Sequence, residues 1–464
     1  MKSIGTHRLI SCLLTAMSLC FVWQANASKL DSLALNSTKS GWNFGVLPCI
    51  SYDADLGFQY GALANVYDYG DGTDYPNYRH SFYVEASYTT MRNGVFRFYY
   101  DSPSLLKGHF VSFDVSYLPD AMCEFFGFNG YQTVYNADWV NSSLTASEGY
   151  RSRLYYRLKR NLLRITADIN GQISGAWKWT AGLGLHWYEI SDCDLSVLNR
   201  HRRNPYPEDG GSLYSQFANL GLIKANEAQG GWHPYARAGI EYDTRDQIAC
   251  PTRGIYADLF LTYTGAFGKQ AEYNTLRVNF DFRQYVTFVP QYLIFVYRVS
   301  TQNVLWGKMP FYACNMHNVT RLKRTAYDAM GGVSSLRGVM RNRILSPGFA
   351  FANIELRSVL YRFDLLKQHF YVGLNPFFDI GIVTQTQRMD IESASAALVA
   401  KGINPDEYFN QNGKDIYRPH MSAGVGIKAA MNENFCVSIE WAAPIDRRDN
   451  SSLANIYFNL GYLF

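Results

Sequence analysis

The chain has 464 residues, 47% of them apolar and 18% charged, with an aromatic share of 16% in which Tyr dominates. Beyond the N-terminus no run of roughly 18 or more apolar residues occurs, which excludes a helical membrane protein, and the even spread of apolar residues excludes long low-complexity disorder. A formal charge of +4 with no large-scale clustering of basic residues gives no footprint for nucleic acid.

Residues 1–27 read as an export signal. Lys2, His7 and Arg8 supply the basic region, Leu9 to Trp23 the apolar stretch, and Ala25-Asn26-Ala27 the small-x-small cleavage site. Leu19 before Cys20 is a poor fit to a lipoprotein signal. Residues 28–41 then form a short periplasmic segment, well under the roughly 40 residues that fold alone, so no periplasmic domain is expected ahead of the rest.

From about residue 42 onward the dominant signal has period two. Leu276, Val278, Phe280 and Phe282 form one face against Arg277, Asn279, Asp281 and Arg283. Such alternation suits a strand with lipid on one side and water on the other. The same pattern sets Ile255, Ala257, Leu259, Leu261 and Tyr263 against Tyr256, Asp258, Phe260 and Thr262. Ala350, Ala352, Ile354 and Leu356 oppose Asn353, Glu355 and Arg357, and Val372, Leu374, Phe378 and Ile380 oppose Tyr371, Asn375 and Asp379. The chain ends on Ile456, Phe458, Leu460, Tyr462 and Phe464, aromatic at alternate positions, as the closing strand of an outer-membrane barrel commonly does.

Strands are expected at 43–52, 57–69, 80–91, 95–102, 108–118, 155–169, 177–190 and 232–244. Eight more follow at 254–268, 272–288, 291–307, 348–363, 369–385, 421–433, 434–445 and 453–464. The expected fold is therefore an all-β, sixteen-stranded antiparallel transmembrane barrel over 42–464, closed because an open edge cannot leave its amides unpaired in hydrocarbon. The long connections, 119–154, 191–231, 308–347 and 386–420, all join an odd strand to the next even one. Long loops outside and short turns in the periplasm place both termini in the periplasm. The chain is thus expected in the outer membrane, against lipid and lipopolysaccharide, with no nucleic-acid partner. The loop run Arg200-His201-Arg202-Arg203 reads either as a solvated loop or as a contact for lipopolysaccharide phosphates.

Six cysteines remain after the signal: Cys49, Cys123, Cys193, Cys250, Cys314 and Cys436. They are scattered without C-x-x-C spacing, so zinc and thioredoxin-like sites are not expected, and sequence does not choose among their pairings or a role as small hydrophobes. No G-x-S-x-G or H-E-x-x-H occurs, and no enzyme, metal or cofactor is expected.

The sharpest motif lies in the connection 308–347: Gly331-Gly332-Val333-Ser334-Ser335-Leu336-Arg337-Gly338. By parity Glu355 and Asp379 face the lumen. An arginine on a loop folded back inside could pair with both, through charge-assisted and bidentate bonds. The glycines would let the loop backbone turn tightly and approach the wall.

These elements together resemble the BamA/TamA superfamily of bacterial surface-antigen barrels. The resemblance rests on Ser335-Leu336-Arg337-Gly338, on Glu355, and on Phe377-Phe378-Asp379-Ile380-Gly381. The turn and strand Tyr242-Asp243-Thr244-Arg245-Asp246 followed by Pro251-Thr252-Arg253-Gly254 match as well, and Phe125-Phe126-Gly127-Phe128-Asn129 is similar to an element of the third external loop. It covers roughly residues 42–464, and implies that Arg337 of the sixth external loop locks onto Glu355 and Asp379 inside the lumen. Val339 stands where the family usually has an aromatic. Pro48 in the first strand, lacking an N–H, is expected to weaken its seam with the last strand, which ends at Phe464. The implied function is outer-membrane protein assembly, insertion or translocation, as an accessory barrel without the family's periplasmic POTRA domains, beside assembly-machinery proteins or client barrels. The rivals are a passive channel or structural barrel, and a surface-interaction protein working through its long loops.

Overall fold

Alternating side chains become a two-faced sheet that closes on itself in the computed structural model. The structure describes residues 38–460 apart from 54–55, 201–203, 208–210, 249, 269–270, 315–327, 366–367, 411, 432–434 and 453–454. The expected signal at 1–27, His201 to Arg203 of the basic run, and Phe464 lie outside the described residues.

The first eight strands are β1 (Trp42–Asp53), β2 (Gly57–Asp68), β3 (His80–Thr89), β4 (Gly94–Leu106), β5 (His109–Glu124), β6 (Arg157–Ser174), β7 (Trp177–Ser191) and β8 (Gly230–Asp243). The second eight are β9 (Gly254–Thr264), β10 (Thr275–Val289), β11 (Leu293–Gly307), β12 (Gly348–Leu365), β13 (Gln368–Gln385), β14 (His420–Met431), β15 (Phe435–Pro444) and β16 (Asn455–Leu460). Each pairs antiparallel with its neighbours in the chain, and β1 closes against β16. All sixteen expected strands are present. β5 runs further than the alternation indicated, because Pro119 interrupts the pattern while pairing continues opposite Asn161 and a bulge beyond Asp120 absorbs the irregularity.

Parity sets the two faces. On β9, Leu259, Leu261 and Tyr263 are exposed on the outside, while Asp258, Phe260 and Thr262 point in and are buried. On β10, Arg277, Asn279, Asp281 and Arg283 are all buried. Polar side chains on the wall of an open, water-filled channel would stay accessible. Here Gln302, Asn353, Glu355, Asp379 and Lys428 are 0% exposed, so this side of the lumen is packed rather than open. Beside β2 to β4 a cavity of about 280 Å³ remains, lined by Tyr67, Tyr78, Tyr99, Arg97 and Asp101 among others. No helix among the described residues is long and apolar enough to cross a membrane.

The four long loops pack on one another through a buried aromatic cluster. Phe125 and Phe128 come from the β5–β6 loop, Phe217 from the β7–β8 loop, Phe311 from the β11–β12 loop and Phe409 from the β13–β14 loop. Their rings meet at 5.8 Å (Phe125 to Phe217) and 5.9 Å (Phe125 to Phe311, Phe217 to Phe409). Phe217 sits on a short helix, Leu213–Asn219, whose Ser212 caps it by accepting from the Ser215 N–H. Asn129 ties the β5–β6 loop to the start of the β13–β14 loop: its side chain accepts from the Gln387 N–H at 2.7 Å and donates to the Gln387 carbonyl at 2.8 Å.

Candidate functional site: an arginine held inside the barrel

The segment 328–347 of the β11–β12 loop lies within the lumen. Its path needs glycine at Gly331, where φ is +119° and an added Cβ would stand 2.2 Å from the Met340 carbonyl oxygen. Ser335 closes the turn, its Oγ accepting from the Gly331 N–H at 2.9 Å, while the Gly332 N–H donates to the Val339 carbonyl at 3.0 Å. The wall makes room at Gly381 on β13. A Cβ there would come within 2.5 Å of Met330 Sδ and 2.9 Å of Leu336 Cδ1, so the missing side chain leaves the space these two loop residues fill. Leu336 and Val339 are fully buried with Met330, Ile344, Phe349, Phe351 and Val383. The aliphatic Val339 thus packs the loop tip without an aromatic.

Between those apolar contacts the chain presents Arg337, completely enclosed. Its Nε and Nη2 donate to the two oxygens of Asp379 at 2.9 and 2.8 Å, and its backbone N–H adds a third bond to the same carboxylate at 3.1 Å. Nη1 reaches Glu355 Oε1 at 2.6 Å and Glu440 Oε2 at 3.5 Å. The guanidinium plane lies over the Phe377 ring, 3.5 Å from its centroid. Asn353 completes the cradle, donating to Asp379 at 2.9 Å and to the Ser335 carbonyl at 2.6 Å.

The charges of this cluster balance. Arg357 donates to Glu355 at 2.9 Å, and Lys428 stands 3.9 Å from Glu355 and 3.6 Å from Glu440. Arg337, Arg357 and Lys428 therefore face Glu355, Asp379 and Glu440, three against three. That is the condition under which a desolvated ion cluster can persist. Glu355 and Asp379 were legible in the sequence. Glu440 and Lys428 were not, although both sit in alternating strands with lumenal parity, because no motif marks them.

Two further arginines anchor the same segment elsewhere. Arg341 binds Asp328 at 2.9 Å, Glu124 at 2.9 Å and Asp120 at 3.1 Å, joining the loop to β5. Burial would depress its guanidinium, but Asp328, Glu124 and Asp120 hold it well above its ordinary value. Arg343 is also buried and donates to the Gly130, Thr133 and Arg448 carbonyls at 3.0, 3.2 and 3.1 Å.

The loop tip also touches the closing strand. The Gly338 N–H donates to Tyr457 Oη at 3.1 Å, and its carbonyl accepts from Asn455 and Asn450, each at 3.2 Å. On that strand Phe458 stands opposite Tyr52 of β1, and the two rings meet edge-on at 5.7 Å. This is the one β1–β16 register pair among the described residues. Pro48 lies opposite Ala62 in the β1–β2 ladder, on the same strand as Tyr52 of that pair.

The remaining motif residues shape the β8–β9 turn. Arg245 clasps Asp243 with two bonds, 2.9 and 2.8 Å, and lies over Tyr256. Asp246 accepts from the backbone of Gln247, Thr252 and Arg253, Pro251 is buried, and Gly254 opens β9. These residues sit away from Arg337 and do not join its cluster. No group of three or more His, Cys, Asp or Glu side chains suited to a metal ion occurs among the described residues.

A model of the Omp85 superfamily domain matches residues 80–464. No curated protein matches the chain. Among solved structures, BamA from Haemophilus ducreyi lacking POTRA domains 1–3 is similar at 14% identity, over 91% of this chain and 70% of that one, with a TM-score of 0.53. CdiB from Escherichia coli is 11% identical over 91% of this chain, with a TM-score of 0.49, and this chain spans 62% of its length. CdiB from Acinetobacter baumannii is 12% identical over 91%, with 60% of its length covered and a TM-score of 0.45.

Proposed function

The chain belongs to the Omp85 superfamily of outer-membrane barrels, and on that premise we propose that it serves outer-membrane protein assembly, insertion or translocation. In this reading it is an accessory barrel, exported by its N-terminal signal, whose outer face meets lipid and lipopolysaccharide and whose partners supply the periplasmic contacts.

The observation that carries the reading is the junction between the Arg337 loop and β16. Gly338, next to Arg337, is hydrogen-bonded to Tyr457, and the following residue, Phe458, carries the pairing to β1. An assembly or translocation barrel needs a closed resting state and a route by which a client strand can reach or leave the wall. A loop seated by buried ion pairs and bonded to the closing strand supplies the first and controls the second. The packed lumen weighs against a passive channel. The burial of Phe125, Phe217, Phe311 and Phe409 against one another weighs against loops that offer those aromatics to an external partner.

The test is a covalent seam. Cysteines introduced as Tyr52→Cys and Phe458→Cys, which face each other, are oxidised in cells that depend on this chain, and the folded amounts of other barrels are followed. Locking is expected to lower them, with recovery on reduction. Undiminished assembly through a locked seam defeats the proposal. Co-purification of assembly components or nascent barrels with the gently solubilised protein is the companion measurement.

A further inference from the structure

We propose that Cys250 and Cys436 form a disulfide in the exported protein, joining the β8–β9 turn to the barrel wall next to the closing strand. The two residues are distant in sequence, yet they fold into one small buried cluster with Tyr371 and Ala430, against which Val359 packs. Register explains the wall side of that cluster. Tyr371 pairs with Ala430, and Ala430 with Cys436, making a lumenal row across β13, β14 and β15.

The fourth member arrives from the far side of the barrel. The β8–β9 turn folds inward, with Pro251 buried and the Thr252 carbonyl accepting from Thr287 Oγ1 at 2.8 Å. Its shape is held by Asp246, which gathers three backbone N–H groups. The turn therefore delivers Cys250 to the row on a braced support, where it packs into the same buried cluster as Cys436.

The other cysteines have different surroundings. Cys49 donates to Glu85 at 3.7 Å, and Cys193 packs beside Met122 and Leu154. Cys123 and Cys314 share the large aromatic cluster, but the charged neighbours of one are Arg160 and Asp120, and of the other Glu227 and Arg277. Cys250 and Cys436 share a cluster of only four buried residues.

Export places the chain where disulfides form and persist. The co-reactant is a donor disulfide of a thiol oxidant. One cysteine thiolate attacks it, forming a mixed disulfide and releasing one donor thiol. The second cysteine thiolate then attacks the mixed disulfide, forming Cys250–Cys436 and releasing the second donor thiol. Two protons and two electrons pass from the pair to the donor, so the balance closes. The bond would enclose β9 to β14 in one covalent loop and limit how far the unfolded chain can spread.

The experiment maps cysteines in outer membranes prepared with an alkylating agent present throughout. Digestion without reductant is expected to yield one peptide pair linking Cys250 to Cys436, which separates on reduction. Cys250→Ser is expected to leave Cys436 alkylated, and Cys436→Ser to leave Cys250 alkylated. Recovery of both residues as alkylated peptides from the unreduced native protein overturns the proposal, as does either one joined to another cysteine. The native linkage map decides the matter even where a variant folds poorly.

Discussion

Arg337 is the residue on which the lumenal cluster turns. It is the one cation within ion-pair distance of Asp379 among the described residues, and it shares Glu355 with Arg357 and Lys428. Truncation leaves three carboxylates facing two cations in a site closed to water, and removing one partner from such a cluster costs about 3–5 kcal/mol. Arg337→Ala is therefore expected to lower the heat-modifiable folded fraction on semi-native gels and to open the loop to protease. Unchanged mobility and protease resistance would sink the tether. Arg337→Lys keeps the charge but cannot span Asp379 and Glu355 with a planar fork, so an intermediate loss is expected. Gly381 offers an independent check. Gly381→Val places a branched side chain where Met330 and Leu336 sit, and should expel the same loop without touching any charge. Because both changes act on one docking event, the double variant should lose much less than the two single losses added together. Full additivity would mean that the glycine and the arginine serve different structures.

At the scale of elements, the loop segment 328–347 is a crosspiece. Arg337 fixes it to β12, β13 and β15, Arg341 to β5, Arg343 to the β5–β6 loop, and Gly338 to β16. The link to β16 is the slightest of these, a hydrogen bond from Gly338 to Tyr457 supported by two asparagines. Tyr457→Phe keeps the ring and leaves the buried Gly338 N–H without that acceptor, a loss of about 1–3 kcal/mol. The expected outcome is a more mobile seam with a smaller loss of stability than Arg337→Ala, read as faster exchange of β16 amides or slower cross-linking between positions 52 and 458. If those readouts match the parent protein while Arg337→Ala alters them, the coupling runs through another contact.

At the scale of the molecule, the packed lumen and the aromatic cluster over the loops predict an electrically quiet barrel. Purified protein in planar bilayers should show little steady conductance, and Arg337→Ala should show larger and more frequent openings as the loop leaves the wall. A large, steady conductance in the parent protein would favour the channel reading over the assembly reading. The fold itself makes that measurement informative, because sixteen strands enclose enough space for an aqueous pore unless something fills it. Here the filling is the β11–β12 loop and its charged partners.

Much of this was legible from periodicity. A period of two needs only the pleat and a boundary between lipid and a polar interior, so β9, β10, β12 and β13 could be assigned a face residue by residue, and Glu355 and Asp379 came with their faces. The Gly-rich motif around Arg337 was visible too, because glycine and arginine are conspicuous types in a short segment. What sequence could not supply was anything that depends on which strands stand near one another across the lumen. Glu440 and Lys428 became partners of Arg337 only when β14 and β15 curved around to it. Tyr457 met Gly338, and Cys250 met Cys436, for the same reason. Alternation is a local property of each strand and fixes the side a residue faces. Closure of the barrel and the inward fold of its loops decide what that residue meets.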